Sequence, residues 1–198
     1  MDSREDTARW DRLTRLLRPI HEQAVATARR LSRSIHDGDD LYQETVLRAH
    51  DKLEALRDES RFRSWFFAVL LSMHRTRVRR PRRESVSIDD AFDSRNEPVG
   101  EDGTMWDEER RRAERAARAL ATLDPVQREA VVLHELDGFP VDEVAEMQQV
   151  TPSAVKSRLA RGREKLRRFY LRNGWGSETQ HREAAGAMAW PAKERSHE

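Results

Sequence analysis

An all-α protein of two small helical domains joined by a flexible acidic linker is the fold that this sequence predicts, on three observations. First, Arg, Glu, Ala and Leu are frequent while only 8 of 198 residues are Gly, a helix-forming composition. Second, apolar residues recur at helical spacing between clear start and stop signals, and no convincing strand pattern is present. Third, charge is segregated, although the whole chain carries a net charge of only +1. Arg61–Arg83 holds eight Arg and no acid, Glu84–Glu109 holds ten acids and one Arg, and Thr151–Arg172 holds eight Lys or Arg and one acid. With apolar and charged residues at 37% each, small domains with thin cores are favoured over one large globule.

Early helices are expected at about Thr7–Leu17 and Pro19–Ile35, Pro19 being a permitted first residue. Asp39 reads as the N-cap of the next helix, with Leu41, Thr45, Val46 and Ala49 forming an apolar stripe behind it. A further helix spans about Arg63–Arg80 and stops before Pro81. Arg82–Gly103, with Pro98, Gly100, Gly103 and many acids, reads as linker. Helical pattern resumes over Thr104–Thr122. Asp124-Pro125 then starts a helix that ends at Asp137-Gly138, where Gly suits a left-handed cap. Val141–Gln148 follows Pro140, and Thr151-Pro152 opens a last helix to about Leu171. The expected domains are 1–83 and 112–173, with a linker at 84–111 and a polar extension at 174–198.

Several classes of function are excluded. With no cysteine, disulfides and thiolate zinc sites are ruled out. His181 and His197, isolated in the extension, do not make a metal site, and no cofactor is expected. There is no clustered-carboxylate metal motif, no phosphate-binding Gly loop and no triad context, so an enzyme is not expected. The N-terminus is highly charged and has no apolar core of a signal peptide. The longest uncharged apolar run, Ser64–Met73, is about half of what a bilayer requires, so no membrane insertion and a cytoplasmic location are expected. Basic blocks on separate helices point instead to two contacts with a polyanion.

The last three helices, Val126–Leu136, Val141–Gln148 and Pro152–Tyr170, have the layout of a helix-turn-helix, whose final helix enters the DNA major groove. At 100° per residue, Val155, Leu159, Gly162 and Leu166 of that helix fall inward. Ser153, Ser157, Ala160 and Arg161 fall on the opposite side, a small polar face that can approach base edges and donate hydrogen bonds. Lys156, Arg158 and Arg163 lie on the flanks, placed to hold phosphates. An ordinary amphipathic helix with a charged outer face is the competing reading, and the capped three-helix spacing weighs against it.

The stretch Ala119–Arg168, with "LDPVQREAVVL", "DEVAE" and "VKSRLARGREKLR" in order, resembles region 4 of the extracytoplasmic-function (ECF) subfamily of bacterial RNA polymerase sigma factors. The resemblance implies recognition of the −35 promoter element. Ser153-Ala154 stands where members often have Gly-Thr, a departure expected to change the preferred bases. Upstream, "DDLYQETVLRAH" (Asp39–His50) resembles the region 2.2 helix, which docks on a coiled coil of the largest polymerase subunit. Asp40, Gln43 and Glu44 would offer acceptors to basic partner residues beside apolar Leu41 and Leu47.

"RFRSWFFAVLLSMHRTRVRRPRR" (Arg61–Arg83) resembles regions 2.3 and 2.4, which grip the −10 element and hold it open. The base-capturing loop of relatives falls here at about Leu56–Phe62. An aromatic stack on an unpaired base is worth about 1–3 kcal/mol, which offsets unstacking. Phe62, Arg63, Ser72, Arg75, Arg79 and Arg80 form the expected −10 set, with Arg77 beside them. Three adjacent aromatics on a helix point three ways, and Trp65 is the one expected to serve mainly in packing, beside Phe66 and Phe67. Leu71, Ser72 and Thr76 stand where relatives often have Arg, Asn and Asp, so the family's −10 preference does not carry over.

"RRESVSIDDAFDS" (Arg82–Ser94) also resembles the family linker, which threads polymerase channels. The resemblance covers about Pro19–Arg172. It implies core RNA polymerase and promoter DNA as partners, with an anti-sigma factor or other regulator. Two other readings compete. A plain helix-turn-helix regulator would leave Asp39–Arg83 unexplained, and retention of core polymerase separates it from a sigma factor. A nucleic-acid enzyme lacks every motif its chemistry needs.

Overall fold

The computed structural model describes residues 3–79 and 105–175. Arg80, most of the expected linker and the extension from residue 176 lie outside them. The described residues form eight α-helices and no strand: α1 (Ser3–Leu17), α2 (His21–Leu31), α3 (Ile35–Lys52), α4 (Phe62–Arg79), α5 (Met105–Ala121), α6 (Pro125–Val131), α7 (Val141–Gln148) and α8 (Pro152–Arg172). They sort into two bodies. One holds α1–α4 with Phe139–Val155, which is α7 and the first turn of α8; the other holds α5, α6 and the rest of α8.

In the first body, α1 buries Leu13 and Leu17, and a 3-10 turn at Arg18–Ile20 leads into α2. Ala24, Thr27, Ala28 and Leu31 form the buried stripe of α2. The start of α3 differs from expectation. Ser34, not Asp39, is its N-cap, its hydroxyl accepting from the Asp37 amide at 3.1 Å. Asp39 lies inside the helix and takes a bidentate contact from Arg29 at 2.7 and 3.2 Å. That contact raises the Arg29 pKa and holds the Asp39 carboxyl below its usual range. Either residue type can cap a helix, but the one beside a guanidinium on a neighbouring helix is used for charge pairing. Gly38 permits the approach of α2 to α3: a Cβ there would lie 2.5 Å from the Arg29 Cα.

Helix α4 buries Phe62, Phe66, Phe67, Leu70, Leu71 and His74, so it is covered on more than one face. Phe67 and Phe139, just ahead of α7, meet edge to face with ring centroids 4.9 Å apart. Gln149 (φ 54°) carries the left-handed residue after α7. The Thr151 hydroxyl then accepts from the Ala154 amide at 3.2 Å at the start of α8.

In the second body, Ala119, Leu120, Leu123, Ala130, Val131, Val132 and Leu133 are buried. Arg128 closes the end of α5 by donating to the carbonyls of Leu120 (2.9 Å) and Ala121 (3.1 Å). The expected single helix to Leu136 instead widens after Val131 into a π turn, Val132–Leu136, which ends ahead of Gly138 at φ 73°. Asp124 makes no side-chain cap to α6; its carboxylate takes Lys165 of α8 at 2.7 Å. Gly162 lets α8 lie close to α6, since a Cβ would meet Val131 Cγ2 at 2.8 Å.

Candidate polymerase and nucleic-acid interfaces

On α3 the buried stripe is Gly38, Leu41, Thr45 and Ala49, spaced three or four apart. The residues between them therefore face outward. Asp40, Gln43, Glu44 and Leu47 are all exposed, and Leu47 is 57% exposed, an apolar side chain set among polar ones. Leu41 is fully buried and cannot touch a partner, which removes it from the expected docking set. The helical period explains this, because Leu41 belongs to the Thr45 and Ala49 stripe. Glu44 is already engaged: Arg77 of α4 donates to both its oxygens at 3.0 and 2.7 Å and to the Asp37 carbonyl at 2.9 Å. This pairing raises the Arg77 pKa.

Between α3 and α4 the chain makes two 3-10 turns, Leu53–Ala55 and Glu59–Arg61, with a non-helical stretch between them. Asp58 Oδ1 accepts from the Ser60 amide (2.9 Å) and hydroxyl (2.7 Å), which lowers the Asp58 pKa. A cleft of about 430 Å³ borders this segment, lined by Leu56, Arg57, Arg61 and Trp65 with Glu143 and Met147 of α7.

The aromatic assignment is corrected here. Phe62 is 3% exposed, its ring against Trp65 (5.9 Å) and Phe66 (5.8 Å), so it is core and not a base platform. Phe66 and Phe67 are fully buried, whereas Trp65, expected in packing, is half-buried and lines the cleft. Leu71 is core as well. Two helix positions separate Trp65 from Phe67, about 200° of rotation, which puts them on opposite faces.

The rest of the expected −10 set is scattered. Ser72 and Arg79 are exposed, and Arg80 lies outside the described residues. Arg63 donates to Gln23 Oε1 at 3.2 Å and covers the Phe139 ring at 3.7 Å, a cation–π contact. Arg75 reaches the Gln148 carbonyl at 3.5 Å. Arg61 pairs with Glu146 at 3.0 Å, and the Ser64 hydroxyl meets Glu143. Within the expected loop of about Leu56–Phe62, Arg57 and Arg61 are exposed and line the cleft while Leu56 and Phe62 are buried, and Trp65 joins the lining from α4.

On α8, Ser153, Lys156, Ser157 and Arg161 are exposed, and Lys156 and Arg161 make no ion pair among the described residues. Arg158 is half-buried and has a partner. Arg163 is held by Glu135 of the π turn at 2.8 Å. Further along, Glu164 takes Arg167 at 2.9 Å and Arg168 at 2.7 Å, which drives its pKa down to about 2. Of the cations of α8, Lys156 and Arg161 are open to solvent, Arg163, Lys165, Arg167 and Arg168 are paired with acids, and Arg172 donates to the Arg168 carbonyl. No group of His, Asp or Glu that could hold a metal ion occurs among the described residues, and no described helix is long and apolar enough to cross a membrane.

Comparison with known proteins identifies the arrangement. The families "Sigma-70 region 2" and "Sigma-70, region 4" match residues 16–84 and 113–166. The ECF RNA polymerase sigma factor SigM of Mycobacterium tuberculosis is 33% identical over 162 residues, covering 80% of this chain and 78% of that protein. Among solved structures, CnrH in complex with the cytosolic domain of CnrY is 26% identical at a TM-score of 0.56, covering 78% of this chain and 84% of that one. The sigma factor RpoE of Bartonella quintana, in complex with the anti-sigma factor NepR, shares the fold at a TM-score of 0.57 and 23% identity, covering 77% and 92%. With both regions matched in sigma order, the chain belongs to the ECF subfamily of RNA polymerase sigma factors, the non-enzymatic initiation factors that direct polymerase to promoters.

Proposed function

We propose that the two basic helices divide promoter recognition between them, α8 reading the −35 duplex and the 56–61 segment with α4 capturing the opened −10 strand. The open half of α8 carries this reading. Ser153, Ser157 and Arg161 share one exposed face, with Lys156 beside them, while Arg163, Lys165, Arg167 and Arg168 further along are tied to acids. A small polar face lets the backbone approach base edges, and a flanking cation holds phosphate. Arg158 and Arg163 play a smaller part, because each would exchange an existing contact for phosphate.

At −10, Trp65, Arg57 and Arg61 line the cleft and replace Phe62 in the assignment, Arg61 on releasing Glu146. Ser72 and Arg79 extend the surface along α4, and Arg63 and Arg75 join it only on releasing Phe139 and Gln148. Polymerase docks on the α3 face of Asp40, Gln43, Glu44 and Leu47, where acceptors surround one apolar contact. The functional division follows the expected limits, 1–83 and 112–173. The setting is the cytoplasm, where polymerase and promoters are. A protein regulator of the anti-sigma type, such as accompanies the Bartonella relative, would act by covering these faces.

Replacing one base-reading Arg removes about 1–3 kcal/mol of discrimination. Arg161→Ala should therefore lower run-off transcription from a promoter selected by the wild-type holoenzyme about 5- to 150-fold, with core polymerase affinity unchanged. Equal loss of polymerase binding would remove α8 from DNA reading.

A further inference from the structure

All of helix α1 but its last two residues lies ahead of residue 16, where the region 2 match begins. Its contacts converge on one place. Arg9 pairs with Glu54. Arg12 Nε meets Glu59 Oε1 at 2.8 Å, and its Nη2 donates to the Leu56 carbonyl at 3.3 Å. Arg15 Nη2 contacts both Glu59 oxygens at 3.1 Å. Three arginines spaced three apart drift slowly around the helix, and so follow the 54–59 segment along its length. At the other end of the seam, the Trp10 ring stacks on His50 at 4.1 Å, and Asp6 Oδ1 lies 3.5 Å from His50 Nε2.

We infer that α1 is a positioning element for strand capture: Arg9, Arg12 and Arg15 fasten the inner edge of the 54–59 segment, so that its outer edge is preformed for the −10 strand. The inference rests on the reading that this segment captures the strand. The two edges differ in chemistry. Glu54, the Leu56 carbonyl and Glu59 turn to α1, while Arg57 and Arg61 line the cleft beside Trp65. Non-helical stretches with few backbone hydrogen bonds are the parts of a fold that open most readily. One exposed ion pair would hold such a stretch weakly. Several contacts from one rigid helix, with the Asp58–Ser60 turn closed on itself, restrict it before DNA arrives. Ordering in advance lowers the entropic cost of binding. The two guanidiniums also hold the Glu59 carboxyl below its usual range, so the fastening stays charged further into acid than a free glutamate would.

The test uses full-length chain with core polymerase and a promoter fragment that the wild-type holoenzyme retains from a genomic library. Opening is read as permanganate reactivity of thymines in the −10 element. The Arg12→Ala/Arg15→Ala variant should open the fragment about five-fold less or worse. It should keep its polymerase affinity, exchange the amides of residues 56–61 faster, and leave α2 and α4 protected. Lys at both positions should restore much of the opening. Glu59→Gln, which keeps size and polarity, should shift opening in the same direction if the double variant folds poorly. Unchanged opening despite faster exchange at 56–61 overturns the inference, as does a loss that tracks polymerase affinity. Arg57→Ala/Arg61→Ala separates the two failures. If it lowers opening while the α1 variants do not, only the positioning role falls. If it also leaves opening intact, the segment does not capture the strand and both fall.

Discussion

Helices α4 and α8 are both rich in Arg and look alike in the sequence as nucleic-acid elements, yet they present their charge in opposite ways. Helix α8 buries one side, including Val155 and Leu159, and leaves Lys156 and Arg161 open. Helix α4 is buried on more than one face, and three of its four arginines are engaged, Arg63 by Gln23 and Phe139, Arg75 by Gln148 and Arg77 by Glu44, with Arg79 exposed at its end. Counting cations finds the helices. The acids, carbonyls and rings within reach decide which cations can meet a phosphate.

The sharpest way to break this contrast is to exchange the roles of neighbouring aromatics on α4. Phe66→Ala should cost about 3–5 kcal/mol of stability by emptying a core site, seen as a large drop in Tm. Trp65→Ala should leave the melting curve nearly in place and lower −10 opening, because its ring is half-buried at the cleft. A collapse of stability in the Trp65 variant would show that both rings serve the core.

A smaller effect is expected on the inner side of α8. Gly162→Ala places a Cβ against Val131 and should cost about 1–3 kcal/mol, measured by denaturant titration. Lys156→Ala should leave stability unchanged and weaken DNA binding evenly across sequences. The slope of log affinity against log salt should fall by about one. A change in sequence preference instead would move Lys156 from phosphate to base.

The smallest effect concerns the neutralised half of α8. Glu164→Gln removes the charge that Arg167 and Arg168 share, and should tighten non-specific duplex binding modestly at low salt. Because the Glu164 pKa is lowered in the folded chain from 4.5 to about 2, its support of α8 is full above the ordinary carboxylate range. That support is lost as pH falls through about 2. Circular dichroism should show wild type holding more helix than Glu164→Gln at neutral pH, with the gap closing in strong acid.

Much of the architecture was legible in the sequence because its signals are local. Val141–Gln148 stands where Pro140 and its apolar spacing put it, and Gly138 takes the left-handed conformation expected of it. What the sequence hid depends on partners distant along the chain. Asp39 reads as a cap until Arg29 claims it. Leu41 is the exception, since the sequence puts it both in the local stripe with Thr45 and Ala49 and in the docking set, and its full burial keeps only the stripe. Phe62 and Trp65 could not be told apart without knowing that α4 is covered on more than one face. The π turn at Val132–Leu136 has no composition signature, yet it carries the Glu135 that occupies Arg163.

The stacking of Trp10 on His50 gives the molecule an optical gauge of its own. Indole emission responds to what lies against the ring, and here that is a residue of α3 at 4.1 Å. The difference in emission between the wild-type chain and Trp10→Phe isolates that ring, and so reports through colour and intensity whether the first helix stays seated on α3.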